Sequence, residues 1–90
     1  MMSAIEIYLR RVKDLLASVR NILTDAEAME VQHLIDHDEC PEALRTLAWI
    51  IVEEDKRVSR QTVKLIRSLT IERIDAEHMP ATNLEEFISD

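Results

Sequence analysis

The sequence predicts an all-α fold, a compact bundle of four helices, because it lacks the residues on which small β-rich domains depend. None of the 90 residues is glycine, and only 3% are aromatic. A small β-domain needs several tight turns that recruit glycine, and its strands favour aromatic side chains. Hydrophobic residues that recur every three or four positions indicate helices instead. A chain of this length provides for one domain with one core, spanning residues 1–90.

The first helix is predicted over residues 3–21, and the second begins at Thr24. One hydrophobic stripe follows the first helix, formed by Ile5, Tyr8, Leu9, Val12, Leu15, Leu16, Val19 and Ile22. Thr24 and Glu27 have the spacing of a capping box, in which each side chain accepts a hydrogen bond from the other residue's backbone amide. The buried face of the second helix then consists of Ala28, Val31, Leu34 and Ile35.

Pro41 marks the next boundary, because proline is tolerated at the start of a helix and not in its interior. The third helix is predicted over residues 42–54, with an inward face of Ala43, Leu44, Leu47, Ala48, Ile50, Ile51 and Val52. Its stretch 48–52, which includes Trp49, is hydrophobic on all sides, as in a buried helix. We therefore expect it to be the central helix. The helical spacing upstream disfavours the competing interpretation, a strand over residues 49–52.

The fourth helix is predicted to begin after Ser59, which can cap it, while Val58 packs on Val63 as a hydrophobic staple. Its stripe continues to about Glu77 through Val63, Ile66, Leu69 or Thr70, and Ile74. Pro80 ends it. The tail, residues 81–90, can form a short fifth helical turn through Leu84, Phe87 and Ile88, capped by Asn83.

Negative charge is concentrated in one part of the chain. The net charge is −7, and residues 24–40 contain six acidic residues and no lysine or arginine. A protein this acidic repels phosphate backbones, so we expect no nucleic-acid partner. Asp36, Asp38 and Glu39 follow the C-terminal end of the second helix, where the helix dipole disfavours anions. This placement favours a binding surface for a basic partner over a merely solvated face.

The candidate binding residues are the acidic side chains of the second helix, of the turn after it, and of the end of the third helix. They are Asp25, Glu30, Asp36, Asp38, Glu39, Glu53, Glu54 and Asp55. Alternatively, the role of Glu39 is structural, and its carboxylate interacts with the N-terminus of the third helix. The alternative for the whole set is a solvated face on a generic helical adaptor or oligomerisation module.

The sequence gives weaker evidence for a metal site, a disulfide or catalysis. His33, His37 and Cys40 would share one face of the second helix if it persisted to Cys40, and such residues can ligate zinc, with Asp36 or Glu30 nearby. Their spacing is not that of a known zinc motif, so we predict no metal and no cofactor. A single cysteine also excludes an internal disulfide. Without a glycine-rich phosphate loop or a plausible catalytic set, we expect a protein that is not an enzyme.

Two further interpretations concern DNA and membranes. Arg60, Lys64 and Arg67 lie along one face of the fourth helix, as in a DNA-recognition helix. Acidic residues follow on the same helix, so we expect a solvated face paired with the acidic segments. No hydrophobic run has the length of a membrane span, and the N-terminus lacks the hydrophobic region of a signal peptide. We therefore expect a cytoplasmic protein without a membrane partner.

Residues 12–70 resemble the MafI-type immunity proteins, small acidic bacterial proteins encoded beside polymorphic toxins. The resemblance is carried by Leu34–Ile35, Glu39, Ala43–Leu44 with Leu47, Glu53–Glu54, Val58–Ser59 and the sequence LIRSL. Where the family commonly has glycine before the acidic residue, this chain has Asp38. The resemblance implies a helical protein that binds a cognate toxin domain and blocks its active site. Such toxins are often ribonucleases, including the EndoU type, delivered by Maf or contact-dependent inhibition systems.

Ribonucleases hold an anionic substrate, so their active clefts are usually basic. An acidic helix could occupy such a cleft by imitating the charge of RNA. Binding beside the cleft, so that access of the substrate is covered, is the alternative. The resemblance thus implies a cognate toxin nuclease as the protein partner, and the acidic segment agrees with a basic partner of this kind.

Overall fold

The computed structural model describes residues 2–73 and 83–89, and within these ranges the chain forms four α-helices. They are α1 (Ala4–Val19), α2 (Asp25–Asp36), α3 (Cys40–Glu53) and α4 (Arg60–Arg73). Short 3₁₀ turns occur at Arg20–Ile22 and Leu84–Phe87. The all-α prediction is confirmed, and so is a short C-terminal turn. The predicted end of the fourth helix near Glu77, with Ile74 and Pro80, lies outside the described residues.

Polar side chains begin three of the helices. The capping box of α2 is present: Thr24 Oγ1 accepts a hydrogen bond from the Glu27 amide at 3.1 Å, and Glu27 Oε1 accepts one from the Thr24 amide at 2.8 Å. Ser59 Oγ accepts from the Thr62 amide at 3.1 Å and so caps α4. Ser3 caps α1 in the same way, accepting from the Glu6 amide at 3.1 Å. Both predicted caps, at Thr24 and Ser59, are therefore confirmed.

α3 begins two residues earlier than predicted, at Cys40, and Pro41 occupies its first turn. Proline is tolerated there because the first four amides of a helix have no carbonyl partner within it.

Each helix packs against its neighbours in sequence, and α4 also packs against α1, so that α2 and α4 occupy opposite corners of the bundle. α3 contacts the other three helices and the C-terminal 3₁₀ turn, and α1 likewise contacts the other three helices, so the predicted central position is not unique to α3.

Two hydrophobic residues that the sequence placed on buried faces are exposed. Trp49 is 55% exposed, because it lies on the side of α3 opposite Leu44 and Leu47. The prediction that residues 48–52 are buried all round was therefore wrong. Ile5 is 68% exposed although it continues the buried stripe of α1, because it lies in the first turn, at the edge of the bundle.

The C-terminal residues belong to the core and close one end of the bundle. Leu84 is fully buried. Val58 and Ile88 form an isolated parallel bridge, in which the Val58 amide donates to the Phe87 carbonyl and the Ser89 amide to the Val58 carbonyl, both at 3.0 Å. Asn83 precedes the turn, but its side chain donates to the Glu86 carboxylate at 2.8 Å and caps no backbone amide, so its predicted capping role was wrong.

Buried hydroxyl groups make hydrogen bonds both between helices and within one helix. The Tyr8 hydroxyl donates to the Leu69 carbonyl at 3.1 Å and thereby joins α1 to α4 inside the core. The Thr70 hydroxyl donates to the Ile66 carbonyl within α4 at 2.7 Å. No buried side-chain nitrogen or oxygen among the described residues lacks a hydrogen-bond partner. Across the same residues, no helix combines the length and hydrophobicity that crossing a membrane would require.

Candidate protein-binding surface

All eight candidate acidic residues are exposed, and the fold divides them into two clusters. Because a short turn joins α2 to α3, the two helices run antiparallel, and the end of α3 returns to the start of α2. The Lys56 ammonium, just after α3, contacts the Glu27 carboxylate in the first turn of α2 at 3.1 Å. The twelve residues of α2 span about 18 Å, which separates its two ends.

We call the residues at the turn between α2 and α3 the corner cluster, which consists of Asp36, Asp38 and Glu39. The residues at the opposite end form the far cluster, which consists of Asp25, Glu53, Glu54 and Asp55. Glu30 lies on α2 between the two clusters. The structure therefore separates the candidate residues along α2 and α3 and does not gather them into one compact patch.

Backbone hydrogen bonds define the corner cluster. Asp38 has a φ of 59°, in the left-handed region that favours glycine. Its amide donates to the Ile35 carbonyl at 3.1 Å, and the Glu39 amide donates to the Leu34 carbonyl at 2.8 Å. These two bonds form a Schellman motif, which ends α2 and turns the chain towards α3.

The dipole of α2 disfavours the anions of the corner cluster, which lie at its C-terminal end. A second helix partly offsets this cost. α3 begins at Cys40, so its positive N-terminal end lies next to Asp38 and Glu39. The side chain of Glu39, at the N-cap position, accepts no hydrogen bond from the amides of α3, so a capping role is not observed. The Asp36 carboxylate accepts a hydrogen bond from the Gln32 amide group at 2.8 Å.

The far cluster lies at the C-terminal end of α3, where the helix dipole disfavours anions. Glu53 is the last residue of α3 and Glu54 is its C-cap. Neither makes an ion pair or a side-chain hydrogen bond within the described part of the chain. Asp55 and Asp25, by contrast, are neutralised locally, by Arg57 at 3.2 Å and by Arg20 at 2.5 Å. Glu53 and Glu54 are thus the members whose charge is available to a partner.

Trp49 is an exposed aromatic residue near these carboxylates that reasoning from the sequence missed. On α3 it lies one helical turn before Glu53 and two turns after Glu42, which pairs with Arg45. The outward face of α3 therefore has a large aromatic side chain with carboxylates on either side along the helix. A signal was present in the sequence, since helical periodicity places position 49 opposite the buried positions 44, 47 and 51.

The arrangement in which His33, His37 and Cys40 would share one face of the second helix, the alternative weighed for zinc, does not form. α2 ends at Asp36, so Cys40 belongs to α3 and is buried. His33 and His37 are exposed; their ring centroids are 4.2 Å apart, and His37 Nδ1 lies 2.8 Å from the His33 carbonyl oxygen. Among the described residues, no three histidine, cysteine, aspartate or glutamate side chains are placed to hold a metal ion together.

The basic residues of α4 pair with the acidic segments only in part, through Arg67 and Glu85 of the C-terminal segment. Arg67 makes two hydrogen bonds to the Glu85 carboxylate, at 2.7 and 3.1 Å, and these lower the pKa of Glu85. Arg60 and Lys64 make no ion pair with any side chain that the structure describes. The reason is topological, because α4 lies at the corner of the bundle opposite α2.

The surface of α2 and α3 can therefore contribute ionised carboxylates and one indole to an interface. Such a combination suits a basic protein surface, since an indole can stack on a guanidinium group while carboxylates accept its hydrogen bonds. Comparison of the chain with models of protein families, with characterised proteins and with solved structures gave no match.

Proposed function

We propose that this protein is an immunity protein, which binds a cognate bacterial toxin domain, a ribonuclease, and blocks its active site. The observation that carries the proposal is the exposed Trp49 on the outward face of α3, with Glu53 and Glu54 beyond it. Tryptophan is enriched among the residues that contribute most to binding energy at protein interfaces. An exposed tryptophan one helical turn from the unpaired carboxylate of Glu53 therefore supports a protein-binding role over a merely solvated face.

The charge of the surface selects the kind of partner. Carboxylates of the corner and far clusters would meet the basic residues that a ribonuclease uses to hold RNA, and complementary charge accelerates encounter. The two clusters lie about 18 Å apart along α2. An interface of standard size buries about 800 Å² on each partner, which is enough to include Trp49 and one or both clusters.

The resemblance to the MafI-type proteins also supports the proposal. Where that family commonly has glycine, this chain has Asp38, whose φ of 59° is a conformation that glycine adopts readily. The substitution is therefore compatible with the same turn between α2 and α3.

Co-purification with the proposed cognate toxin domain tests the proposal directly. We expect a stoichiometric complex and loss of the nuclease activity of the toxin. Absence of a complex at micromolar concentrations, together with unchanged nuclease activity, would favour the alternative of a helical adaptor.

The nuclease assay can also distinguish the two modes of inhibition. A protein that occupies the active site inhibits cleavage of a dinucleotide and of a long RNA equally. One that covers access beside the site inhibits cleavage of the long RNA and spares the dinucleotide. We expect the cleavage of both substrates to be inhibited, because the acidic surface imitates the charge of RNA.

A further inference from the structure

A second charged surface lies on α4, and it is basic. Arg60, Lys64 and Arg67 follow one another at intervals of four and three residues, on the outward face of the helix. Arg67 is bound to Glu85, whereas Arg60 and Lys64 have no carboxylate partner among the described residues. Arg60 and Lys64 are therefore two adjacent cations whose charge is available to an external group.

Their position in the helix adds to this observation. Arg60 is the first residue of α4, and the first turn contains no acidic residue. The positive end of the helix dipole disfavours cations at this position. Arg60 is therefore not placed to stabilise α4, and an external anionic group would relieve the unfavourable charge.

The basic residues border a groove with an aliphatic floor. A cavity of about 430 Å³ lies between α4 and the C-terminal residues, lined by Arg60, Val63, Lys64, Arg67, Ser68, Ile71, Glu85 and Ile88. Ile71 is 83% exposed and lies on the same helix face as Lys64 and Arg67. The groove thus combines cationic walls with exposed hydrophobic surface.

We propose that this groove binds an acidic amphipathic helix of a partner protein. Carboxylates of that helix would pair with Arg60 and Lys64, and its aliphatic side chains would cover Ile71 and Ile88. The fourteen residues of α4 extend about 21 Å, which is the length of about four helical turns. A docked helix of that length would contact the groove with side chains spaced three and four residues apart.

Nucleic acid fits the groove less well than an acidic helix does. No aromatic residue lines it on which a base could stack, and the carboxylate of Glu85 lies on its wall. The net charge of −7 adds a general repulsion of phosphate backbones. The inference does not rest on toxin binding, because α4 and α2 lie at opposite corners of the bundle.

A labelled peptide tests the proposal by fluorescence anisotropy on the full chain. The probe is a helical peptide with leucines at intervals of three and four residues and glutamates elsewhere. We expect it to bind, with an affinity that falls at least tenfold when R60E and K64E are combined and when Ile71 is replaced by serine. The matched control combines R10E with K13E, which reverses two exposed cations on α1, and we expect it to leave the affinity within twofold of the wild-type value.

Chemical shifts of the ¹⁵N-labelled protein then locate the bound peptide. Shifts confined to residues 60–71 and 84–89 would support the proposal. It would be overturned if the acidic peptide did not bind, or if the control variant weakened binding as much as the α4 variants. Tighter binding of a single-stranded oligonucleotide to the same residues would also overturn it, in favour of a nucleic-acid site.

Discussion

Asp38 and Asp55 have the same structural role, since each ends a helix in the left-handed conformation, with φ of 59° and 51°. After α3, the Lys56 amide donates to the Ile51 carbonyl at 2.9 Å, as the Glu39 amide donates to the Leu34 carbonyl after α2. A chain without glycine thus uses aspartate at two positions where glycine is the usual residue.

The first prediction concerns the conformational cost of these two residues. Asp38→Gly and Asp55→Gly should each raise the free energy of unfolding by about 0.5–1 kcal/mol, because glycine adopts the left-handed conformation without a steric penalty. Asp38→Ala should lower it by about 1 kcal/mol, although it removes the same charge. Urea denaturation followed by circular dichroism measures both values. If the glycine and alanine variants were equally stable, charge rather than backbone conformation would determine the effect.

The second prediction concerns acid sensitivity. The hydrogen bond from the Thr24 backbone amide, aided by Lys56, holds the pKa of Glu27 below its usual value of 4.5. The stabilisation is therefore complete above the pKa of the unfolded chain and is lost as the pH falls through the lower pKa of the folded protein. Glu27→Gln should flatten the loss of stability below about pH 4.5. Urea denaturation of the wild-type protein and of the variant across this pH range measures the difference, and identical pH profiles would contradict the prediction.

A third prediction tests whether the C-terminal residues belong to the core. Leu84 is fully buried, so Leu84→Ala should destabilise the protein by about 2–5 kcal/mol. Ile71→Ala, at a largely exposed position, should change the free energy of unfolding by no more than about 0.5 kcal/mol. Thermal or urea denaturation of both variants gives the comparison. Equal stabilities would mean that residues 84–89 are not packed on the bundle.

The fourth prediction contrasts two neighbours on α3. Leu47 is buried and Trp49 is exposed, so Leu47→Ala should cost about 2–5 kcal/mol while Trp49→Ala leaves stability within about 0.5 kcal/mol. Trp49 is the only tryptophan, and acrylamide should quench its fluorescence readily in the folded protein. Strong protection from acrylamide would show that the indole is covered in the isolated protein.

Local signals in the sequence were sufficient for most of the fold. The Thr24–Glu27 pair and Ser59 predicted helix starts correctly, because a cap depends on residues only three positions apart. The separation of the corner and far clusters could not be read from charge counts, since it depends on the antiparallel packing of α2 on α3. The exposure of Trp49 was missed because hydrophobic character was taken as burial, although the helical period gave its direction.

The affinity of this protein for the proposed cognate toxin domain tests the central claim most directly, with Trp49→Ala as the decisive variant. We predict that Trp49→Ala weakens binding at least 30-fold, as expected for a loss of about 2 kcal/mol at an interface. Charge reversal at Asp36 and Asp38 should slow association and reduce its salt dependence. Ile71→Ala, on the opposite side of the bundle, should have no effect. If the wild-type protein and the Trp49 and aspartate variants bound the toxin with the same affinity, the surface of α2 and α3 would not be the toxin-binding site.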